Sequence, residues 1–311
     1  MGDFIINESI MREMGYLFNE NFVIRYGTHN PLLHHFQMIK PNAVNKTCRE
    51  ANFKFLGGTN LLKRNLMRPI LDWNVDLVTS ALYKGSVALG CGIAGIDNGK
   101  TNTYTKRAYD RALSKNYVHS VRDEASKRFL ERLGFEACNT GCPTLWGFTD
   151  GLNESIPKTK SEHVVFTLTD YAPDLKQDQK LINILNRNYK EVYFWVQGSE
   201  DFKYLEQFSG IENVKIINPS LSSYKEILVK GGIDYVGTRL HAGIYAMQHS
   251  VRSVILAVDN RARDMDESHH LNVIEREDVD SLPSLLNSSI TTSIFVDHEL
   301  VNSWKGQFKS L

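Results

Sequence analysis

The chain has 311 residues, 42% of them apolar, and its 36 basic side chains equal its 36 acidic ones. That balance lacks the basic excess on which non-specific nucleic-acid binding rests, so no nucleic-acid partner is expected. No apolar run reaches the length of a membrane-spanning helix, and the chain is long enough for two domains rather than one.

The start, Met1-Gly2-Asp3-Phe4-Ile5-Ile6, has neither the basic onset of a secretory signal nor the serine or threonine of a myristoylation site. Four cysteines, Cys48, Cys91, Cys138 and Cys142, are too few and too scattered for a disulfide framework. A soluble, reducing, cytoplasmic setting is the simplest expectation. In chain order, strands are expected near residues 22–26, 53–56, 86–89 and 117–121. A helix follows, with Asp123 as N-cap, Ala125, Phe129, Leu130 and Leu133 on its apolar face, and Gly134 as its stop. The polar stretch 151–160, which holds glycine and proline, reads as a linker. A second series of strands is expected near 164–168, 192–196, 214–217, 233–236 and 253–258, and residues 297–311 read as a helical tail that packs on either domain.

Strands alternating with helices imply an α/β protein with parallel sheets. The expected division is an N-terminal Rossmann-like domain over 1–150, a C-terminal one over 161–296, and the tail. Two such domains on one linker suggest a cleft, a favoured place for ligands.

The most informative segment is Gly237-Thr238-Arg239-Leu240-His241, set between an apolar strand and the start of a helix. The next strand ends in Asp259-Asn260-Arg261-Ala262-Arg263. Loops at the carboxyl end of a parallel sheet are where open α/β folds bind ligands. A helix start also offers unpaired N–H groups and a partial positive charge. With Arg239, His241, Arg261 and Arg263 added, the segment suits a small, strongly anionic ligand. A phosphate or a carboxylate would fit, and a molecule carrying both would fit best. The backbone N–H groups of Leu240 and His241 add oxyanion-type donors.

Val121-Arg122-Asp123 with Ser126, Leu130 and Gly134, and then Gly237–His241 with Ala242, Gly243 and Ala246, resemble two motifs of the polysaccharide pyruvyl transferase family. Asp259-x-Arg261 resembles its D-x-K, Gly57-Gly58-Thr59 its glycine triplet, and Gly2-Asp3 its N-x-G-D. The order of these motifs along one chain is specific. The resemblance implies a two-domain, GT-B-like fold with the acceptor on the N-terminal side and the donor on the C-terminal side. It implies transfer of the enolpyruvyl group of phosphoenolpyruvate to two hydroxyls of a sugar, giving a pyruvate ketal and phosphate. Phosphoenolpyruvate is then a substrate, and no further cofactor or metal is expected. The acceptor would be lipid-linked or nucleotide-linked, with the enzyme visiting the inner face of the plasma membrane peripherally in the lipid-linked case. Capsule, exopolysaccharide or cell-wall assembly is the implied setting.

The chain departs from that pattern in three places. Gly2-Asp3 stands so early that the first strand is missing, which places the true start upstream or means that the opening strand is lost. Thr140-Gly141-Cys142-Pro143 replaces the usual G-D-P, and the glycine triplet has lost one member. On the resemblance, His241 is the acid that protonates the methylene carbon of the donor, and Arg239 clamps its carboxylate or phosphate bidentately. Arg261 and Arg263 would close the phosphate side, and Arg122 would meet a donor phosphate or an acceptor diphosphate. Asp3 would orient an acceptor hydroxyl or act as a base. Plain structural readings stand alongside: a packed or capping histidine, a surface salt bridge for Arg239, an Arg122–Asp123 pair, and a solvated loop charge at one of Arg261 and Arg263.

Other signals are set aside. Gly90-Cys91-Gly92-Ile93-Ala94-Gly95 spells a dinucleotide fingerprint, but loop residues follow where a helix should open. Asp264-Met265-Asp266 reads as a solvated acidic turn, Cys138, Cys142, His269 and His270 as free thiols and surface histidines rather than a zinc site, and Tyr193-Phe194-Trp195 as core strand. Two alternatives remain: a GT-B glycosyltransferase using a nucleotide sugar, and a degenerate, non-catalytic member.

Overall fold

The computed structural model describes residues 1–40, 42–67, 72–93 and 100–308. The chain forms two compact units: Met1–Ile5 joins Gly147–Val296 in one, and Ile6–Trp146 joins Asp297–Leu311 in the other. An opening helix, Gly2–Glu13, begins in the first of these and continues into the second.

The unit of Ile6–Trp146 and the tail is built on four short parallel strands: β1 (Phe55–Gly57), β2 (Val87–Leu89), β3 (His119–Val121) and β4 (Ala137–Asn139). β1 pairs with β2 and β3 with β4. Between β2 and β3 side chains replace part of the ladder. The Ala88 N–H donates to His119 Nδ1 (3.0 Å) and the Gly90 N–H to Ser120 Oγ (2.9 Å). Because Nδ1 accepts, the His119 proton sits on Nε2, which faces the Ser114 carbonyl at 2.9 Å. Burial pushes this imidazole down to about 4.

That shift sets a sign for stability. The folded state holds His119 neutral, while the unfolded chain takes up a proton below its ordinary value of 6.5. Stability is therefore complete above pH 6.5 and is lost as pH falls toward 4, by roughly 3 kcal/mol for a shift of this size. Thermal unfolding midpoints followed from pH 7.5 to 4 are expected to drop across that window. His119→Gln, which cannot titrate, should flatten the slope relative to the parent.

The helix Glu124–Arg132 opens on Asp123, whose side chain accepts the Ser126 N–H, and stops at Gly134. The tail forms the helix His298–Lys305, and Trp304 Nε1 donates to the Val118 carbonyl (2.7 Å). The strand expected over 22–26 is not formed. Phe22 is 91% exposed and no neighbouring strand pairs with the segment, so its β-branched and aromatic residues have no ladder to join.

The other unit carries six parallel strands: β5 (His163–Thr167), β6 (Glu191–Trp195), β7 (Lys215–Ile217), β8 (Ile233–Gly237), β9 (Ser253–Ala257) and β10 (Val273–Glu275). Their order is β10-β9-β8-β5-β6-β7. Chain direction across the sheet reverses between β5 and β8, which makes that edge the switch point of a doubly wound sheet. β8 and β9 are buried throughout, which explains why they are mainly apolar. Asp234 in β8 and Arg252 just before β9 are both 1% exposed and pair at 2.9 Å. Residues 151–155, read from sequence as linker, lie in a short helix, Asp150–Ser155, whose N-cap Thr149 accepts the Leu152 N–H. Tyr193–Trp195 lie in β6, where Trp195 stacks on Tyr224 with ring centroids 3.9 Å apart.

Candidate functional site

The carboxyl edge of the six-stranded sheet gathers four loops: Thr169–Tyr171 after β5, Gln197–Asp201 after β6, Thr238–His241 after β8, and Asp259–Arg261 after β9. Across the switch point, the Thr238 N–H donates to the Thr167 carbonyl (3.1 Å) and the Thr169 and Thr238 hydroxyls bond at 2.8 Å. These contacts fix where Arg239 leaves the sheet.

Arg239 is buried. Its Nε donates to the Leu168 carbonyl (2.9 Å), and its Nη2 pairs with Asp170 (2.8 Å) and with the fully buried Asp201. Asp201 is held in turn by the Gln197 and Gly198 N–H groups (3.0 and 2.6 Å). Only Nη1 is left without a hydrogen bond among the described residues. Arg239 thus presents one N–H edge rather than the open bidentate fork expected from sequence, because two aspartates from neighbouring loops already occupy the rest. The salt bridge is real, and it is buried rather than at the surface. Tyr171 lies across the guanidinium, with its ring centroid 4.9 Å from Cζ.

Leu240 opens the helix Leu240–Gln248, whose N-terminus no side chain caps. His241, half-buried in its first turn, comes up to the start of the opening helix. A β-carbon on Gly2 would lie 3.6 Å from His241 Nδ1 and 3.7 Å from Gln197 Nε2. Two helix N-termini therefore meet beside the imidazole, each contributing partial positive charge. Asp3 is exposed in the first turn of the opening helix. The Met1 amino group donates to the Gln197 carbonyl (3.5 Å).

Arg261 donates along one edge of its fork to a single Asp259 oxygen, through Nε (2.9 Å) and Nη2 (2.5 Å), and Asp259 also caps the helix Asn260–His269. Burial works to raise the Asp259 carboxyl, but the Arg261 guanidinium and the helix N–H groups outweigh it and hold it below the usual range. Arg263 points elsewhere, to Glu275 at the end of β10 (2.6 Å), and is exposed. Asp264 and Asp266, read as a turn, lie inside the same helix. His269 is buried and bonded to the Phe295 carbonyl (2.8 Å), not a surface residue, because it closes that helix against the strand-like segment before the tail.

The remaining expected residues lie in the other unit, at the carboxyl ends of β1 to β3. Gly57 and Gly58 end β1, and Gly58 and Thr59 both take positive φ (+63° and +47°), a conformation unusual for threonine. The turn is locked by Gly58 N–H to the Leu89 carbonyl (2.8 Å) and Gly92 N–H to the Thr59 carbonyl (2.9 Å). Arg122, nearly buried, hydrogen-bonds Asn60 and stands 3.5 Å from Asp123. It lies flat over Gly92, where a β-carbon would stand 2.6 Å from Cζ. Gly92→Ala is expected to push the guanidinium off Asn60 without unfolding the protein, since the clash is with the end of a flexible side chain. It should share one phenotype with Arg122→Ala in steady-state kinetics, because both take the guanidinium away from Asn60. Cys142 is buried, and its thiol accepts from Thr144 Oγ1 (3.1 Å); burial pushes its pKa up, so it is not a ready nucleophile. Ala94 to Gly99, including the end of the glycine-rich fingerprint, lie outside the described residues.

Asp170, Tyr171 and Asp201 were not singled out from sequence. Each follows a parallel strand at its carboxyl end, and that position was the available signal.

In comparisons with known proteins, no curated sequence is a match. The UDP-GlcNAc 2-epimerase of Methanocaldococcus jannaschii, solved with UDP-GlcNAc and UDP, is 15% identical, with 73% of this chain and 70% of that one covered at a TM-score of 0.43. MnaA of S. aureus, solved with UDP, is 8% identical over 97% of this chain and 86% of that one, with a TM-score of 0.48. Nothing about substrate passes from likenesses of that level to this chain. Residues 1–260 match the family model described as polysaccharide pyruvyl transferase, a stretch that contains Gly2-Asp3, Gly57-Gly58, Arg122, Arg239-Leu240-His241 and Asp259. The chain belongs to the polysaccharide pyruvyl transferase family.

Proposed function

We propose that this transferase moves the enolpyruvyl group of phosphoenolpyruvate onto two hydroxyls of a sugar, leaving a cyclic pyruvate ketal and inorganic phosphate. The observation that carries the reading is the meeting of two helix starts beside His241, next to the buried Arg239. Helix N–H groups, the free Nη1 edge and a protonated imidazole are donors for a ligand that bears both a phosphate and a carboxylate. His241 delivers a proton to the methylene carbon, and the first sugar hydroxyl bonds to the adjacent carbon and gives its own proton back to the imidazole. The carbon–oxygen bond to phosphate then breaks, the second hydroxyl closes the ring, and its proton leaves with the phosphate. No metal or further cofactor enters these steps. The acceptor is a sugar carried on a lipid or a nucleotide, for cell-surface polysaccharide, and the protein acts in the cytoplasm, meeting the inner membrane face peripherally when the carrier is a lipid. Among the described residues no helix is long and apolar enough to cross a membrane.

Calorimetric titration of phosphoenolpyruvate, followed by a phosphate-release assay over a panel of lipid-linked and nucleotide-linked sugars, tests the reading. Saturable binding and acceptor-dependent phosphate release are expected. Binding of a nucleotide sugar with no response to phosphoenolpyruvate would replace it with a glycosyltransferase.

A further inference from the structure

The arginines of this site are matched before any ligand arrives. Arg239 faces Asp170 and Asp201, and Arg261 faces Asp259, so two guanidinium groups stand against three carboxylates. An anion entering such a cluster gains little from Coulomb attraction to the arginines and needs neutral donors aimed at it. One side chain fits that need. Tyr171 is 61% exposed although it stands at the switch point and touches both arginines. Its ring lies on Arg239 (4.9 Å), and its hydroxyl accepts from Arg261 Nη2 (3.0 Å). In the sheet β8 lies between β5 and β9, so this bond from the loop after β5 to the loop after β9 arches over the end of β8, where Arg239 emerges.

A tyrosine hydroxyl that accepts one hydrogen bond still has its own proton to give, and donation from a cation sharpens it as a donor. Stacking on the guanidinium face leaves the in-plane Nη1 edge open. Resting on the functional reading above, we propose that Tyr171 is a donor-binding residue, giving its hydroxyl proton to an oxygen of bound phosphoenolpyruvate, and that Arg261 is a positioning residue acting through it. The anion is held by Tyr171 and the helix N–H groups, and Arg261 never touches it.

Phosphoenolpyruvate is titrated into the parent, Tyr171→Phe, Arg261→Gln and the double variant, with steady-state kinetics and thermal midpoints alongside. Tyr171→Phe keeps the ring on Arg239 and removes only the hydroxyl. It is expected to weaken binding about tenfold, with the loss falling on KM far more than on kcat. The double variant is expected to bind no more weakly than Tyr171→Phe alone, the signature of one residue acting through the other. Losses that multiply in the double variant would overturn the indirect role of Arg261. Unchanged affinity in Tyr171→Phe, with tight binding by the parent, would overturn the role of Tyr171 and leave the functional reading standing. A parent protein that binds no phosphoenolpyruvate would remove both.

Discussion

Replacing His241 with glutamine is expected to lower turnover by about 10²- to 10⁴-fold, the usual range for loss of a general acid, while phosphoenolpyruvate still binds. Glutamine keeps a hydrogen-bonding end near Gly2 and Gln197, but it cannot deliver a proton to carbon at neutral pH. The surrounding charge sharpens this expectation. Both arginines are already held by aspartates and a guanidinium does not give up its proton, so neither substitutes for the imidazole as the acid. A variant within tenfold of the parent would reduce His241 to a packing residue at a helix start.

The largest effect on stability is expected at Arg252, far from this edge. Its Nη1 pairs with Asp234 (2.9 Å), and its Nη2 reaches the carbonyls of Leu286 (2.9 Å) and Ser288 (3.1 Å). Asp234 also accepts from Tyr189 Oη (2.8 Å) and from the Ser161 N–H (3.2 Å). Arg252→Met leaves a carboxylate buried beside a tyrosine and strips donors from the two carbonyls. Breaking one side of such a pair costs about 3–5 kcal/mol, which corresponds to a drop of about 10 °C in Tm for a unit of this size. Adding Asp234→Asn should recover part of the loss, because no buried charge is then stranded. A change in Tm of less than about 3 °C in the single variant would show that the pair contributes little.

The doubly wound half was legible in the sequence because burial on both faces makes β8 and β9 mainly apolar, and because Thr238-Arg239-Leu240 marks a strand passing into a helix. The opening helix was not legible. Gly2–Glu13 carries little amphipathic signal, and its importance comes from standing beside His241, a residue more than two hundred positions away. Residues 22–26 show the converse, since their β-propensity is satisfied only by a partner strand that the fold does not supply. At the site, Arg239 and His241 were legible as residues, but their electrostatics were not. Asp201 and Asp170 reach Arg239 from loops 38 and 69 residues earlier, and no local spacing records that pairing.

The way the backbone is shared between the two units bears on how the protein is handled. Met1–Ile5 belongs with Gly147–Val296, while the same helix runs on into the other unit. A fragment cut at Gly147 would keep the six strands, Arg239 and His241 and yet lack the helix start that lies beside the imidazole.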